Sequence, residues 1–79
     1  MMTIEIISPE EIIYSGEIVA ATFPGKEGSF GVLKNHAPLI STLKKGKIEI
    51  TDVHGKKSQY DVNGGVVEVN GNKIIVLVQ

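Results

Sequence analysis

Apolar residues along the chain recur two apart far more often than at the 3.6-residue spacing of a helix, and the branched residues Ile, Val and Thr are abundant. Both features predict strands, so the fold class is all-β. Ile4 and Ile6 begin an alternating run that stops at Ser8-Pro9, and Ile12 to Tyr14 resumes it. Gly16 marks a bend before a further strand over Glu17 to Phe23. Leu39 to Leu43 is short and apolar. Lys47-Ile48-Glu49-Ile50-Thr51 follows Gly46 with one apolar and one charged face, the pattern of a half-buried strand. His54-Gly55, Asn63-Gly64-Gly65 and Asn70-Gly71 each separate two alternating runs, which predicts three successive hairpins and an antiparallel meander. Strands this short, with turns every 8–12 residues or so, pack as two sheets or a flattened barrel.

Two stretches break the alternation. Pro24 to Pro38 carries Gly25, Gly28 and Gly31 and reads as loops around a short strand at Phe30 to Leu33. Ile74, Ile75, Val76, Leu77 and Val78 are apolar on both faces, whereas an isolated sandwich strand needs only its inward face to be so. Either the strand end is tucked under a neighbouring loop, or its second face is a docking surface for another subunit.

Length and composition narrow the class. The 79 residues form one domain, spanning 1–79, with no linker, repeat or low-complexity tract. A chain of this size buries only about 60% of its unfolded surface, and without cysteine it has neither disulfide nor thiolate metal site to support it. Free-standing stability is expected to be marginal, with packing and a partner supplying the rest. The net charge of −1 provides no field for phosphates, which argues against nucleic acid. The N-terminal residues lack a basic stretch followed by an apolar run, and no segment approaches the ~20 apolar residues of a membrane span. The expectation is a soluble chain made where it acts.

Candidate chemistry is sparse. His36 and His54 are far apart and fit no metal-ligand spacing. His54, before a glycine, reads as an exposed turn residue. His36 lies between Asn35 and Ala37-Pro38, where the backbone before proline is restricted and holds the imidazole in place; it is a structural loop residue or, alternatively, a proton-transfer group. None of the five serines sits in a Gly-x-Ser-x-Gly or Ser-x-x-Lys setting. The series Gly25-x-x-Gly28-x-x-Gly31 lacks the Gly-Lys-Ser/Thr ending of a phosphate loop and reads as turn glycines. Lys44, Lys45 and Lys47 around Gly46 form a basic turn, suited to an acidic partner or a lipid head. No catalytic residue, cofactor site or metal site is expected. A small β-barrel module that binds a ligand or carries a prosthetic group is the alternative. It would need a lysine at a hairpin tip beside Met or Asp, which neither Lys56-Lys57 nor Lys44-Lys45 has.

The segment Phe23-Pro24-Gly25-Lys26-Glu27-Gly28-Ser29-Phe30-Gly31-Val32-Leu33-Lys34-Asn35-His36-Ala37-Pro38-Leu39 resembles the signature of the epsilon subunits of rotary F-type ATP synthases. Tyr14-Ser15-Gly16-Glu17 is similar to that family's aromatic-Ser-Gly lead into the second long strand. Leu43-Lys44-Lys45-Gly46 resembles its Leu-Lys-x-Gly turn, and Gly64-Gly65-Val66-Val67-Glu68-Val69 its Gly-Gly-apolar-apolar-Glu-Val strand. The likeness runs from Thr3 to the last residue.

The resemblance implies a flattened antiparallel β-sandwich of about ten short strands. It would sit at the foot of the rotor stalk between the gamma subunit and the membrane ring of c subunits, transmitting torque and catalysing nothing. It implies a peripheral position on the cytoplasmic side of a bacterial inner membrane, reached only through the complex. Glu27, Gly28, Ser29 and Phe30 match the loop that faces the c ring, with Ser29 standing where the family often has an acidic residue. Ser8, Ala37, Ile40, Ser41 and Lys47 match positions toward gamma, and His36, Ala37 and Pro38 match an element that holds the ring-facing loop. Members of the family often continue into two helices that bind ATP or inhibit hydrolysis. This sequence stops at Val78-Gln79, so both functions are expected to be absent.

Overall fold

The computed structural model describes residues 1–79 as eight strands joined by turns, without a helix. They are β1 (Met2–Ile7), β2 (Ile12–Gly25), β3 (Gly28–Leu33), β4 (Leu39–Leu43), β5 (Gly46–Asp52), β6 (Lys57–Val62), β7 (Gly65–Asn70) and β8 (Lys73–Val78). The chain measures 27 × 24 × 17 Å. Its shortest dimension fits two sheets about 10 Å apart with their outward side chains.

Eight strands form the expected sandwich of about ten, and β2 is continuous where the sequence predicts two strands separated at Gly16. Gly16 does not interrupt the ladder; it pairs with Ile4. At about 3.3 Å per residue, the 14 residues of β2 would reach some 46 Å, longer than the molecule, so the strand must bend. The bend falls at Val19, where the pairing with β5 slips between Ile18 and Ala20. The first half of β2 pairs with β1, and the second half pairs with β3 and β5. The long strand thus belongs to both layers: one is β2, β1, β8, β7 and β4, the other β3, β2, β5 and β6.

Two of the three expected hairpins form. His54-Gly55 joins β5 to β6, and Asn70-Gly71 joins β7 to β8. The third does not: Asn63-Gly64 is a crossover, since β6 pairs only with β5 while β7 pairs with β4 and β8. Nor is the sheet wholly antiparallel, because β1 and β8 run parallel, Thr3 to Ile7 beside Lys73 to Leu77. Both departures involve partners distant in sequence, which local alternation does not specify.

Alternation does place the core. Sixteen apolar residues form one buried cluster, including Ile4, Ile6, Ile18, Phe23, Ile48 and Ile74, and no polar or charged side chain is buried with them. Side chains fill the interior, leaving no lumen of the kind a ligand-binding barrel requires. Gly65 is needed where β7 leaves the crossover. Its φ is +154°, and a Cβ there would lie 2.2 Å from the Leu77 carbonyl oxygen.

Candidate functional site

The surface of the β4-β7-β8-β1 layer holds the most distinctive side chains. Register aligns its outward residues into rows across the strands. One row runs Thr42, Val66, Leu77, Ile7 and Ile12, and the next Ile40, Glu68, Ile75, Glu5 and Ser15. Ile40 is 74% exposed, Ile12 59%, Leu77 54% and Val66 41%. A single exposed leucine means little, but an apolar band of Val66, Leu77, Ile7 and Ile12 across four strands, with Ile40 and Ile75 in the row beside it, is what a protein-docking face looks like. Strand β8 therefore has two apolar faces for two reasons: Ile74, Val76 and Val78 enter the core, whereas Ile75 and Leu77 join the band. No loop of the chain covers Leu77.

The residues matched to gamma-facing positions do not share one patch. Ile40 lies in the band. Ser41, its neighbour in an extended strand, points to the opposite face, opposite buried Val67. Lys47 is on β5 in the other layer, and its Nζ meets Asp61 Oδ1 at 2.8 Å. Ser8 follows Ile7, and its Oγ accepts hydrogen bonds from the amides of Glu10 and Glu11 and donates to the Glu11 carbonyl, closing the β1-β2 turn. Ala37 is exposed just before β4.

The four ring-facing candidates gather at the β2-β3 hairpin. Glu27, Gly28 and Ser29 are exposed. Phe30 is half-buried, with its ring 5.6 Å from that of Phe23 and packed over Gly25, where an added Cβ would lie 2.9 Å from it. Phe30 anchors the hairpin to the core, leaving the other three to present the tip.

His36 belongs to the loop between β3 and β4. Its Nδ1 lies 2.7 Å from the Ala37 carbonyl oxygen, and its N–H donates to Leu33 O at 3.1 Å. The loop turns through Asn35, the one non-glycine residue with positive φ, at 65°. The Asn35 N–H donates to Asn72 Oδ1 at the β7-β8 turn. Asn72 escaped the sequence reading; Pro38 needs no cis bond, since all peptide bonds are trans. His54 is exposed. Its N–H and that of Lys56 donate to Asp52 Oδ1 at 2.8 and 2.9 Å, and these bonds, Lys56 first, hold the Asp52 carboxyl below its ordinary range. Tyr14 and Tyr60, with ring centroids 5.9 Å apart, close one side of the core. Burial, then Tyr60 and Asp52, raises the Tyr14 hydroxyl pKa.

No three His, Cys, Asp or Glu side chains converge on this surface, and no buried side-chain N or O lacks a hydrogen-bond partner. The arrangement can bind a surface. Comparisons with known proteins give that surface a context. The chain is 46% identical over 78 residues to the ATP synthase epsilon chain of a Nitratiruptor species, covering 99% of this chain and 60% of that one. It is 40% identical to the epsilon chain of Chlorobaculum tepidum, covering 98% of this chain and 88% of the relative. A chain in the cryo-EM structure of Euglena gracilis mitochondrial ATP synthase, OSCP/F1/c-ring, superposes with a TM-score of 0.92 at 28% identity, covering 98% of this chain and 49% of that one. The family model described as "ATP synthase, Delta/Epsilon chain, beta-sandwich domain" matches residues 1–79. On that match along its whole length, and on the relatives' identity, the chain belongs to the ATP synthase delta/epsilon β-sandwich family.

Proposed function

We propose that the chain is a non-catalytic subunit of the central stalk of an F-type ATP synthase, linking the gamma subunit to the c ring. Ion-driven rotation of the ring is thereby coupled to ATP synthesis on other subunits. The observation that carries this reading is the uncovered band through Ile40, Val66, Leu77 and Ile12, in a chain whose relatives are ATP synthase epsilon chains. In this reading gamma covers the band, with Ser8 and Ala37 at its margins. The β2-β3 tip of Glu27, Gly28 and Ser29 meets the ring, while Phe30 fixes the tip in place.

Ser41 and Lys47 take supporting roles. Ser41 lies opposite Val67 on the inward side of the sheet, and Lys47 is engaged by Asp61, so neither is counted in the gamma contact. The chain sits on the cytoplasmic side of a bacterial inner membrane as a peripheral component, held there by its partners. A contact that survives rotation under load needs an interface of standard size, about 800 Å² on each partner. The test is capture from the source membrane: tagged chain should bring down gamma and the c ring together, and recovery of neither would refute the assignment.

A further inference from the structure

The chain has two tyrosines, and the fold brings them together from opposite layers. Tyr14 stands on the first half of β2 opposite Ile6, and Tyr60 on β6 opposite Ile48. Both isoleucines are fully buried, and residues directly opposite each other share a face, so both tyrosines turn inward. They meet half-buried at the mouth between the layers. Their ring centroids lie 5.9 Å apart with 48° between the planes, inside the ~4.5–7 Å range of aromatic contact. The Tyr14 hydroxyl rests over Gly16, where an added Cβ would come within 3.1 Å of it, so the glycine leaves the ring room to lie here.

Composition isolates the pair. The chain contains neither tryptophan nor cysteine, the other side chains that readily surrender a single electron. A radical formed on one ring therefore has only the other tyrosine to react with. The raised pKa of Tyr14, due first to burial and then to Tyr60 and Asp52, keeps its hydroxyl protonated at neutral pH.

We infer that Tyr14 and Tyr60 form a site of oxidative cross-linking, a dityrosine staple between the two layers. The co-reactant is a peroxide-driven one-electron oxidant of the haem peroxidase class. Each phenol gives up one electron and its hydroxyl proton, leaving two phenoxyl radicals. A C–C bond forms between one Cε of each ring. The C–H bond at each of these carbons then breaks as the rings regain aromaticity, and the protons pass through solvent to the phenolic oxygens. Two hydrogen atoms leave the chain, and one hydrogen peroxide becomes two waters. A biaryl bond leaves its rings twisted against each other, as these planes already are. Strand β6 pairs only with β5, so it is the element free to close the remaining gap. Backbone pairing joins the layers at the bend of β2 and where Gly25 meets Leu43; the staple fastens them at a third place.

The test treats the 79-residue chain, kept dilute, with a haem peroxidase and hydrogen peroxide. Dityrosine fluorescence is expected in the monomer band of a denaturing gel, with a mass lower by two hydrogens and peptide mapping that joins the Tyr14 and Tyr60 fragments. Tyr14→Phe and Tyr60→Phe, which keep a ring at each position, should each lose the monomer signal. The parent unfolded in urea should give about ten-fold less monomer product, because the fold no longer holds the rings together. The cross-linked monomer should melt about 10 °C higher or more, since the new bond restricts the unfolded chain. Fluorescence confined to dimers, equal yields from folded and unfolded chain, or an unchanged melting temperature would overturn the staple. Neither gamma nor the c ring takes part, so the outcome is separate from capture of the stalk.

Discussion

The Asn35 N–H donates to Asn72 Oδ1 across 3.0 Å, joining the loop before β4 to the β7-β8 turn although the residues are 37 positions apart. The Thr3 N–H donates to Asn72 O at the same turn, so β1, the loop and the hairpin share one anchor. Ala37 and Ile40 are positioned from this point, which connects a turn amide to the exposed apolar band.

Asn72→Ala should cost about 0.5–1.5 kcal/mol, the net worth of one such bond, while Asn72→Asp keeps the acceptor and much of the stability. Urea denaturation reads the loss. Amide exchange at Asn35 should accelerate in the alanine variant, and unchanged exchange would mean that the bond does not hold the loop.

Two glycines with positive φ should respond differently. Gly65→Ala brings a Cβ against the Leu77 carbonyl and should cost about 3 kcal/mol or more, a large part of the ~5–15 kcal/mol available to a domain. Gly71→Ala meets nothing within 4 Å and should lose only about 1 kcal/mol, from its backbone conformation at φ +64°. Equal thermal stability in the two variants would contradict the packing described around Gly65.

Phe23 is fully buried and packs tilted against Phe30, so Phe23→Ala should cost about 3–5 kcal/mol and leave little folded protein at 37 °C. Phe30→Ala, at a half-buried position, should cost less and loosen the β2-β3 tip first. Circular dichroism melts of both variants check the order.

Acidification should weaken the fold through Asp52. Its pKa is lowered in the folded chain by the amides of Lys56 and His54, so its contribution is complete above the unfolded carboxyl pKa of about 4. That contribution is lost as pH falls through the lower folded value. Asp52→Asn keeps an oxygen acceptor but no longer titrates, so its urea midpoint should fall less steeply below pH 4 than that of the parent. Parallel curves would remove Asp52 from the account.

How much the sequence disclosed depended on distance along the chain. Leu39 to Leu43 and the Asn70-Gly71 hairpin were legible because alternation and turn chemistry are local. The parallel β1-β8 pair, the crossover at Asn63-Gly64 and the bend at Val19 depend on partners far away and left no local mark. The exposed apolar band shows the same division. The two apolar faces of β8 were visible as Ile74 to Val78, but the joining of Leu77 to Val66, Ile7 and Ile12 appears only once register is fixed. Ser41 and Ile40 were adjacent candidates, and the pleat alone separates them.

The central claim is that gamma seals the outer band. Ile40→Glu/Leu77→Glu places two charges on exposed positions and should leave the melting temperature within a few degrees of the parent, because neither side chain is in the core. The most direct measurement is binding of purified gamma to the parent chain and to this double variant by isothermal titration calorimetry. The account predicts a tight complex with the parent and at least about a hundred-fold weaker binding by the folded variant, as expected when charges are forced into a dry contact. Equal affinity of the two chains, or no complex with the parent, would contradict it.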